Sequence, residues 1–460
     1  MFWSNRSQDI DDQIFIVNGV RTYSFKEIFD FGDLIYSDIL EGSVIVIESD
    51  RDIGTVCAYI GALRNNIVPL LIDSSLNSKS VADIANSYKA EFIISSKVRN
   101  IDEYKEFDKK FEKVIHSRVE LSNVRVNKDL CMLMPTSGST GEAKCVRTSR
   151  DNLLLATQSI VRYLAMDDSR VSISSLPLHY TYGLSVLNCA LESRSKFVLT
   201  DKSWLERDFW KTVEDNKITD LSGVPFMFQT LRRIKLSDVI LDNLICVNQA
   251  GGKLEPALTK YFINYFSDKS VNYFTMYGAT EASPRISYVP YKKALEKLGT
   301  VGIPIDIGKF STDAGDGVSE GELIYEGPNV CLGYANSREE LSLGDENDQV
   351  LYTGDIGLID DDGYATIIGR KKRFVKVFGM SVNLDAIESI ARSVTDSCVV
   401  VGKDDKVLVL ITDDEVKFVR KKILESVTFS NTGLKVKKIS EIHLNSSGKP
   451  DYPRMISEFL

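Results

Sequence analysis

Residues 43–73 read SVIVIESDRDIGTVCAYIGALRNNIVPLLID. Two apolar runs, SVIVIES (43–49) and IVPLLID (67–73), flank GTVCAYIGALRNN (54–66), whose spacing is helical. Strand, helix, strand at this spacing is the crossover unit of a parallel sheet covered on both faces. The pattern continues with a helix-like KSVADIANSYK (79–89) and an apolar EFIISS (91–96). Upstream, DQIFIVNGVRTYSF (12–25) sets the Asn18–Gly19 turn pair between two apolar runs, an antiparallel hairpin. SFKEIFDFGDLIYSDIL (24–40) then has helical spacing.

A second alternation runs through VSISSLPL (171–178), KFVLTD (196–201), WKTVEDNKIT (210–219), DLSGV (220–224), DNLICVNQAGG (242–252) and EPALTKYFINYFS (255–267). It predicts a second, related subdomain ending near Tyr277. From Gly299 the chain turns to short strands with Gly and Pro, as in GELIYEGPNVCLGY (321–334) and YATIIG (364–369), a small β unit. Residues 370–460 then read strand, helix, strand, strand, helix, strand. The expected fold class is therefore α/β: residues 1–369 as two related subdomains plus the small β unit, and residues 370–460 as a compact α+β domain.

At 460 residues the chain exceeds what one hydrophobic core supports, which agrees with that division. With 43% hydrophobic and 26% charged residues it is neither disordered nor fibrous. A formal charge of −9 argues against a partner bound through phosphate neutralisation, so no nucleic acid is expected. Seven cysteines without C-x-x-C spacing read as reduced thiols, and three dispersed histidines exclude a histidine metal cluster. The start of the chain lacks a basic, apolar leader, and no apolar run is long enough for a bilayer. A cytoplasmic protein without membrane insertion is expected.

One loop interrupts this ordinary composition. After the apolar DLCMLMP (129–135) comes TSGSTGEAKC (136–145), whose glycines permit close approach and whose hydroxyls and N–H groups suit an anion such as phosphate. Its spacing is not that of G-x-x-x-x-G-K-[ST]. On residue chemistry alone it is a phosphate cradle or a solvated connection.

The run Thr136, Ser137, Gly138, Ser139, Thr140, Gly141, Glu142, Ala143, Lys144 resembles the phosphate loop of the adenylate-forming (AMP-binding) superfamily. That superfamily includes acyl- and aryl-CoA synthetases, peptide-synthetase adenylation domains and luciferases. Ala143 and Cys145 stand where the family usually has proline and glycine. Four further blocks come in family order: MYGATEAS (276–283), LYTGDIGLIDDDGY (351–364), IGRKKRFVKVFGMSVNLDAIE (368–388) and LNSSGKPDYPRM (444–455). The resemblance covers nearly the whole chain. It implies Rossmann-like αβαβα subdomains, a barrel-like small β unit and a mobile C-terminal domain.

It also implies chemistry. ATP and a carboxylic acid form an acyl adenylate and pyrophosphate, and the acyl group then passes to a phosphopantetheine thiol, that of coenzyme A or of a separate acyl-carrier protein. The loop residues Thr136 to Gly141 and Lys144 are implied to hold phosphates, with Thr280 beside them and Glu281 as the Mg2+ ligand. Tyr277 and Gly278, with Gly251 and Gly252, are implied at the adenine, and Asp355 and Arg370 at the ribose. Lys372 matches the hinge. Lys449 matches the mobile catalytic lysine, while Lys376 and Gly379 match the pose that admits the thiol. The DDDG at 360–363 reads as a hairpin turn and is assigned no site.

The block LPLHYTYGLS (176–185) resembles one that acyl- and aryl-CoA ligases carry near the substrate carboxylate. It implies His179 as a catalytic residue near the carboxylate, in an acid pocket with Tyr182 and Gly183 that is completed by Phe226, Met227 and Ala250 from SGVPFMFQTL and NQAGGKL. No aspartate lies between Leu176 and Ser185, which favours a small acid without an α-amino group. A stand-alone amino-acid adenylation enzyme loading a carrier protein, and a non-catalytic nucleotide or acyl sensor, remain as other readings.

Overall fold

The computed structural model describes the chain except for residues 5–10, 111–112, 136–143, 234–240, 315–319, 378–379, 396, 404, 427–432 and 445–449. It forms two compact units, Met1–Lys309 with Glu326–Leu351, and Phe310–Tyr325 with Tyr352–Leu460.

In the first unit the stretch 43–73 folds as its pattern demands. Strands Val44–Ser49 and Val68–Asp73 pair in parallel, joined by helix Ile53–Arg64. All six residues of the first strand and ten of the twelve helical residues are buried, as expected where a parallel sheet is covered on both faces. Asp52 caps the helix by accepting from the Thr55 amide at 2.7 Å. The helix meets helix Phe25–Ile35 at its backbone: a Cβ on Gly61 would stand 2.5 Å from the Gly32 carbonyl oxygen.

These strands lie in the middle of an eight-stranded sheet that also contains Phe92–Ser95, Leu130–Pro135 and Cys145–Ser149. The second alternation builds a nine-stranded sheet. Its parallel centre runs Asn272–Tyr277, Cys246–Gln249, Asp220–Gly223, Val171–Ile173 and Lys196–Leu199. The hairpin at Gly19 forms as predicted, yet its strand Ile14–Asn18 pairs in parallel with Lys196–Leu199 and so extends the second sheet.

The sequence reading contained no hairpin at Tyr104–Lys110 and Lys113–Arg118 and no helix at Arg150–Leu164. In the first case, charges in KEFDKK conceal a sheet-edge strand whose side chains are mostly exposed.

The second unit carries a four-stranded sheet in the order Lys309–Thr312, Gly321–Glu326, Val350–Ile359, Ala365–Arg370, which is the small β unit. The 360–363 segment is the expected turn, with Gly363 at φ +82°. Compactness groups this sheet with the C-terminal residues, whereas the sequence pattern divides the chain before Arg370. Two bonds tie the sheet to the C-terminal segment: the Arg370 amide donates to Asp385, and Asn383 donates to the Ile368 carbonyl. Beyond them, Cys398–Lys403, Lys406–Ile411 and Leu434–Lys438 form a three-stranded sheet, packed by helices Leu384–Arg392 and Val416–Ser426.

Among the described residues no helix is long and apolar enough to cross a membrane. All seven cysteines are unpaired and buried.

Candidate active site

The first unit's site is built around the turn after strand Asn272–Tyr277. Tyr277, half-buried, ends the strand, and Gly278 succeeds it because nothing larger fits: a Cβ there would lie 1.7 Å from the Pro284 carbonyl oxygen. A short 3-10 turn, Thr280–Ala282, comes next, and the Ile286 amide closes the loop on the Tyr277 carbonyl at 3.0 Å. Buried Asn329 pins it by donating to the carbonyls of Ala282 (2.7 Å) and Arg285 (2.9 Å).

This packing fixes the directions of Thr280 and Glu281. The Thr280 hydroxyl lies 3.1 Å from that of Thr181, the first residue of helix Thr181–Ser193. A helix N-terminus offers unpaired N–H groups and a positive dipole end, so two hydroxyls there suit a phosphate or carboxylate. Glu281 accepts from the Tyr334 hydroxyl at 2.8 Å, and the Lys144 ammonium sits 3.5 Å from the centre of the same ring. Tyr334 thus joins the lysine of the phosphate-loop motif to the carboxylate of the YGATE motif. Burial and the nearby Glu281 charge push its phenol well above the ordinary value, so it stays a donor. Cys145, beside Lys144, is buried, and burial pushes its thiol up to about 12.

On the acid side, Gly183 lets the first helical turn close on the preceding loop, since a Cβ would stand 2.1 Å from the Pro177 carbonyl oxygen. His179 precedes this helix, with Nε2 3.9 Å from an Asp73 carboxylate oxygen and Nδ1 buried without a partner. Burial lowers its pKa, with Arg51 acting in the same direction against the pull of Asp73. Its resting form at neutral pH is the neutral ring.

Tyr182 is buried and donates to the Asn248 carbonyl at 2.9 Å. Together with Ala250, Met276 and the half-buried Met227 it forms one apolar cluster. Phe226 is 52% exposed and lies outside that cluster. Gly251 adopts φ +82°, and a Cβ there would meet the Tyr180 hydroxyl at 2.7 Å; at Gly252 it would meet Pro225 at 3.2 Å.

In the second unit Asp355 is buried and directly opposite Arg370 in the strand register, its carboxylate 3.0 Å from the Arg370 Nε. The expected ribose pair is here an ion pair. Lys372 occupies the middle of a single turn whose flanks are anchored, Lys371 on Glu322 at 2.7 Å and Arg373 on Asp385 at 2.7 Å. Lys372 itself is exposed and makes no ion pair among the described residues. Lys376 is exposed on strand Phe374–Val377. Thr136, Ser137, Gly138, Ser139, Thr140, Gly141, Gly379 and Lys449 lie outside the described residues.

Sequence reasoning missed Thr181, Asn329, Tyr334 and the buried Arg285. Two of them carried a signal: Thr181 stands inside the LPLHYTYGLS block, and Arg285 two residues after the MYGATEAS block. Among the described residues no cluster of three or more His, Cys, Asp or Glu gathers around a metal position. A single carboxylate, Glu281, with hydroxyls of Thr181 and Thr280 nearby, instead fits magnesium, which takes few protein ligands and fills its shell with phosphate oxygens and water.

Residues 8–335 match the model of the AMP-binding enzyme family. The chain belongs to that family. It is an ATP- and magnesium-dependent ligase that activates a small carboxylic acid as an acyl adenylate and passes the acyl group to a phosphopantetheine thiol. This AMP-binding enzyme is 25% identical to a 2-succinylbenzoate–CoA ligase of Staphylococcus epidermidis, over 90% of the chain and 85% of the relative. It is 26% identical to a feruloyl-CoA synthase of an Amycolatopsis species, over 60% of the chain and 57% of the relative. In fold it is similar to Bacillus subtilis o-succinylbenzoate CoA synthetase (MenE) in complex with its acyl-adenylate intermediate, at TM-score 0.77 and 18% identity over 96% of this chain and 95% of that one. ATP-bound MatB from Rhodopseudomonas palustris gives TM-score 0.79 at 18% identity, over 98% and 96%.

Proposed function

We propose that this AMP-binding enzyme is a coenzyme A ligase for an acid without an α-amino group, working in a reducing cytoplasm. The observation that carries the assignment of roles is the linkage of Lys144 and Glu281 through Tyr334, next along the chain to Thr280, whose hydroxyl meets that of Thr181 at the start of helix Thr181–Ser193. In this reading Lys144 and the 136–141 loop neutralise the leaving phosphates, and Thr181, Thr280 and the helix N-terminus orient the α-phosphate beside the acid. Positioning and charge stabilisation of this kind account for most of the catalysis of phosphoryl-type transfers. Glu281 is the residue that would hold magnesium, which when bound would add positive charge beside the phosphates.

Neutral His179 lines the entry for the carboxylate without offering it a competing charge. Asp355 and Arg370 separate to receive the ribose hydroxyls. Lys449 reaches the carboxylate and α-phosphate, and Lys372 is the pivot on which residues 370–460 turn. After the turn, Lys376 and Gly379 face the thiol. The named CoA ligases among the relatives support coenzyme A as the acceptor over a carrier protein.

The test is pyrophosphate release from ATP over aliphatic, aromatic, hydroxy and amino acids, with and without coenzyme A, for the wild type and Lys449→Ala. Release that rises with coenzyme A and falls on the order of 100-fold or more in the variant is the expected result. Unchanged adenylation in Lys449→Ala removes its assigned role, and release indifferent to coenzyme A points to a carrier protein. Asp73, so close to His179, gives the amino-acid reading one foothold. An amino acid used better than its des-amino analogue would make Asp73 the carboxylate that holds the ammonium.

A further inference from the structure

Arg285 is 3% exposed, and its Nε–H is buried without a hydrogen-bond partner. Among the described residues no carboxylate forms an ion pair with it. Its guanidinium lies 4.2 Å over the ring of Tyr182, a contact that attracts the cation but leaves the in-plane Nε–H unserved. The neighbouring Tyr163 hydroxyl supplies no counter-charge, because burial keeps that phenol protonated against the pull of Arg285. A buried charge without a counter-charge is costly, and structures keep one where a ligand completes it or a partner neutralises it.

Arg285 lines a small cavity between the second sheet and the helices Arg150–Leu164 and Thr181–Ser193. Other polar atoms face the same space. Ser172 Oγ is buried and also unpartnered, and Ser222 and Asn248 complete the polar wall. One acid, Asp220, borders the cavity, but both its oxygens are taken by Arg170, at 2.5 and 2.7 Å, and one also by the Thr219 hydroxyl. The Arg170–Asp220 pair cancels, so the net charge presented to the cavity is that of Arg285. Ser185 lines this cavity and also a second one bounded by Thr181, Thr280 and Pro284, so the two adjoin at the helix that carries the acid-pocket residues.

We propose that Arg285 receives a second anionic group on the acid, and that the substrate class of this ligase is a dicarboxylic acid. The inference rests on the acid-activating reading above and adds the substrate's distal chemistry. One carboxylate is adenylated at the Thr181–Thr280 end. The other takes the free Nε–H of Arg285, with Ser172 and Ser222 as hydroxyl donors. A planar guanidinium suits a carboxylate better than an ammonium does, because it donates along its edge while its face remains on Tyr182. A monoacid would leave the Arg285 Nε–H buried with its hydrogen bond unmade, which is how a polar site rejects an apolar analogue strongly.

The experiment compares ATP–pyrophosphate exchange for diacids and for the matched monoacids in which the distal carboxylate is replaced by methyl, in wild type, Arg285→Met and Arg285→Lys. Folding is monitored by circular dichroism. The wild type is expected to favour the diacid of its best pair by at least about 100-fold in kcat/KM. Arg285→Met should bring that ratio towards one, and Arg285→Lys should restore part of it. Thermal stabilisation by the diacid without ATP should obey the same order, a readout independent of turnover. If Arg285→Met does not fold, the wild-type ratio and Arg285→Lys decide.

Wild-type turnover of monoacids at least equal to that of diacids overturns the proposal and leaves the ligase reading standing. So does an Arg285 variant that lowers both members of a pair alike. Silence with every acid, despite ATP binding, overturns both.

Discussion

The turn from Tyr277 to Arg285 and the strand pair bearing Asp355 and Arg370 both present polar groups suited to a nucleotide, but they are made differently. In the turn, backbone packing sets the geometry: Gly278 is pressed against Pro284, and Asn329 holds two carbonyls. In the second unit, Arg370, Lys372 and Lys376 are exposed, whereas Asp355 and Arg373 are anchored in the interior. In the proposed reading the turn holds the reacting phosphate and gains from a frame that cannot shift, whereas the exposed groups serve one stage and leave at the next, which asks for charge without packing.

Gly278→Ala should have the largest effect. Its methyl cannot be placed without moving the turn, so a loss of about 3 kcal/mol in denaturant unfolding is expected, with exchange activity near background. A variant as stable as the wild type would break the comparison at once.

Lys376→Ala tests the other side. Thioester formation should fall about ten-fold, more than pyrophosphate exchange does, while stability moves by less than about 0.5 kcal/mol, as is usual for an exposed side chain. Equal losses in both half-reactions would place Lys376 in adenylation instead.

The smallest effect concerns pH. The folded-state pKa of His179 is lowered, chiefly by burial, so the unfolded chain takes up its proton first as pH falls. Its contribution to stability is complete above the ordinary histidine value and declines as pH falls from there through the lowered folded value. His179→Asn should flatten that part of the stability profile, read by thermal unfolding at a series of pH values. An unaltered profile would mean that His179 titrates as it does in water.

Much of this molecule was legible along the chain. The 43–73 alternation predicted its parallel pair because a strand buried on both faces must be apolar throughout, and its helix must obey the same rule. The motif glycines were legible too, although only packing explains them: Gly183 and Gly278 stand where a carbonyl occupies the space of a side chain. Periodicity failed at Tyr104–Lys110, where exposure frees a strand from any apolar pattern.

Sequence by itself determined the two strand–helix alternations, the family motifs and the types of charge available, because these depend on near neighbours and on side-chain chemistry. Tertiary structure alone decided that Tyr334 reaches Glu281, that Ile14–Asn18 joins the second sheet, and that Arg285 is buried on Tyr182 with an unserved N–H. The partners in each case are brought together by packing over long separations, and a local pattern carries no record of which distant surface will cover it.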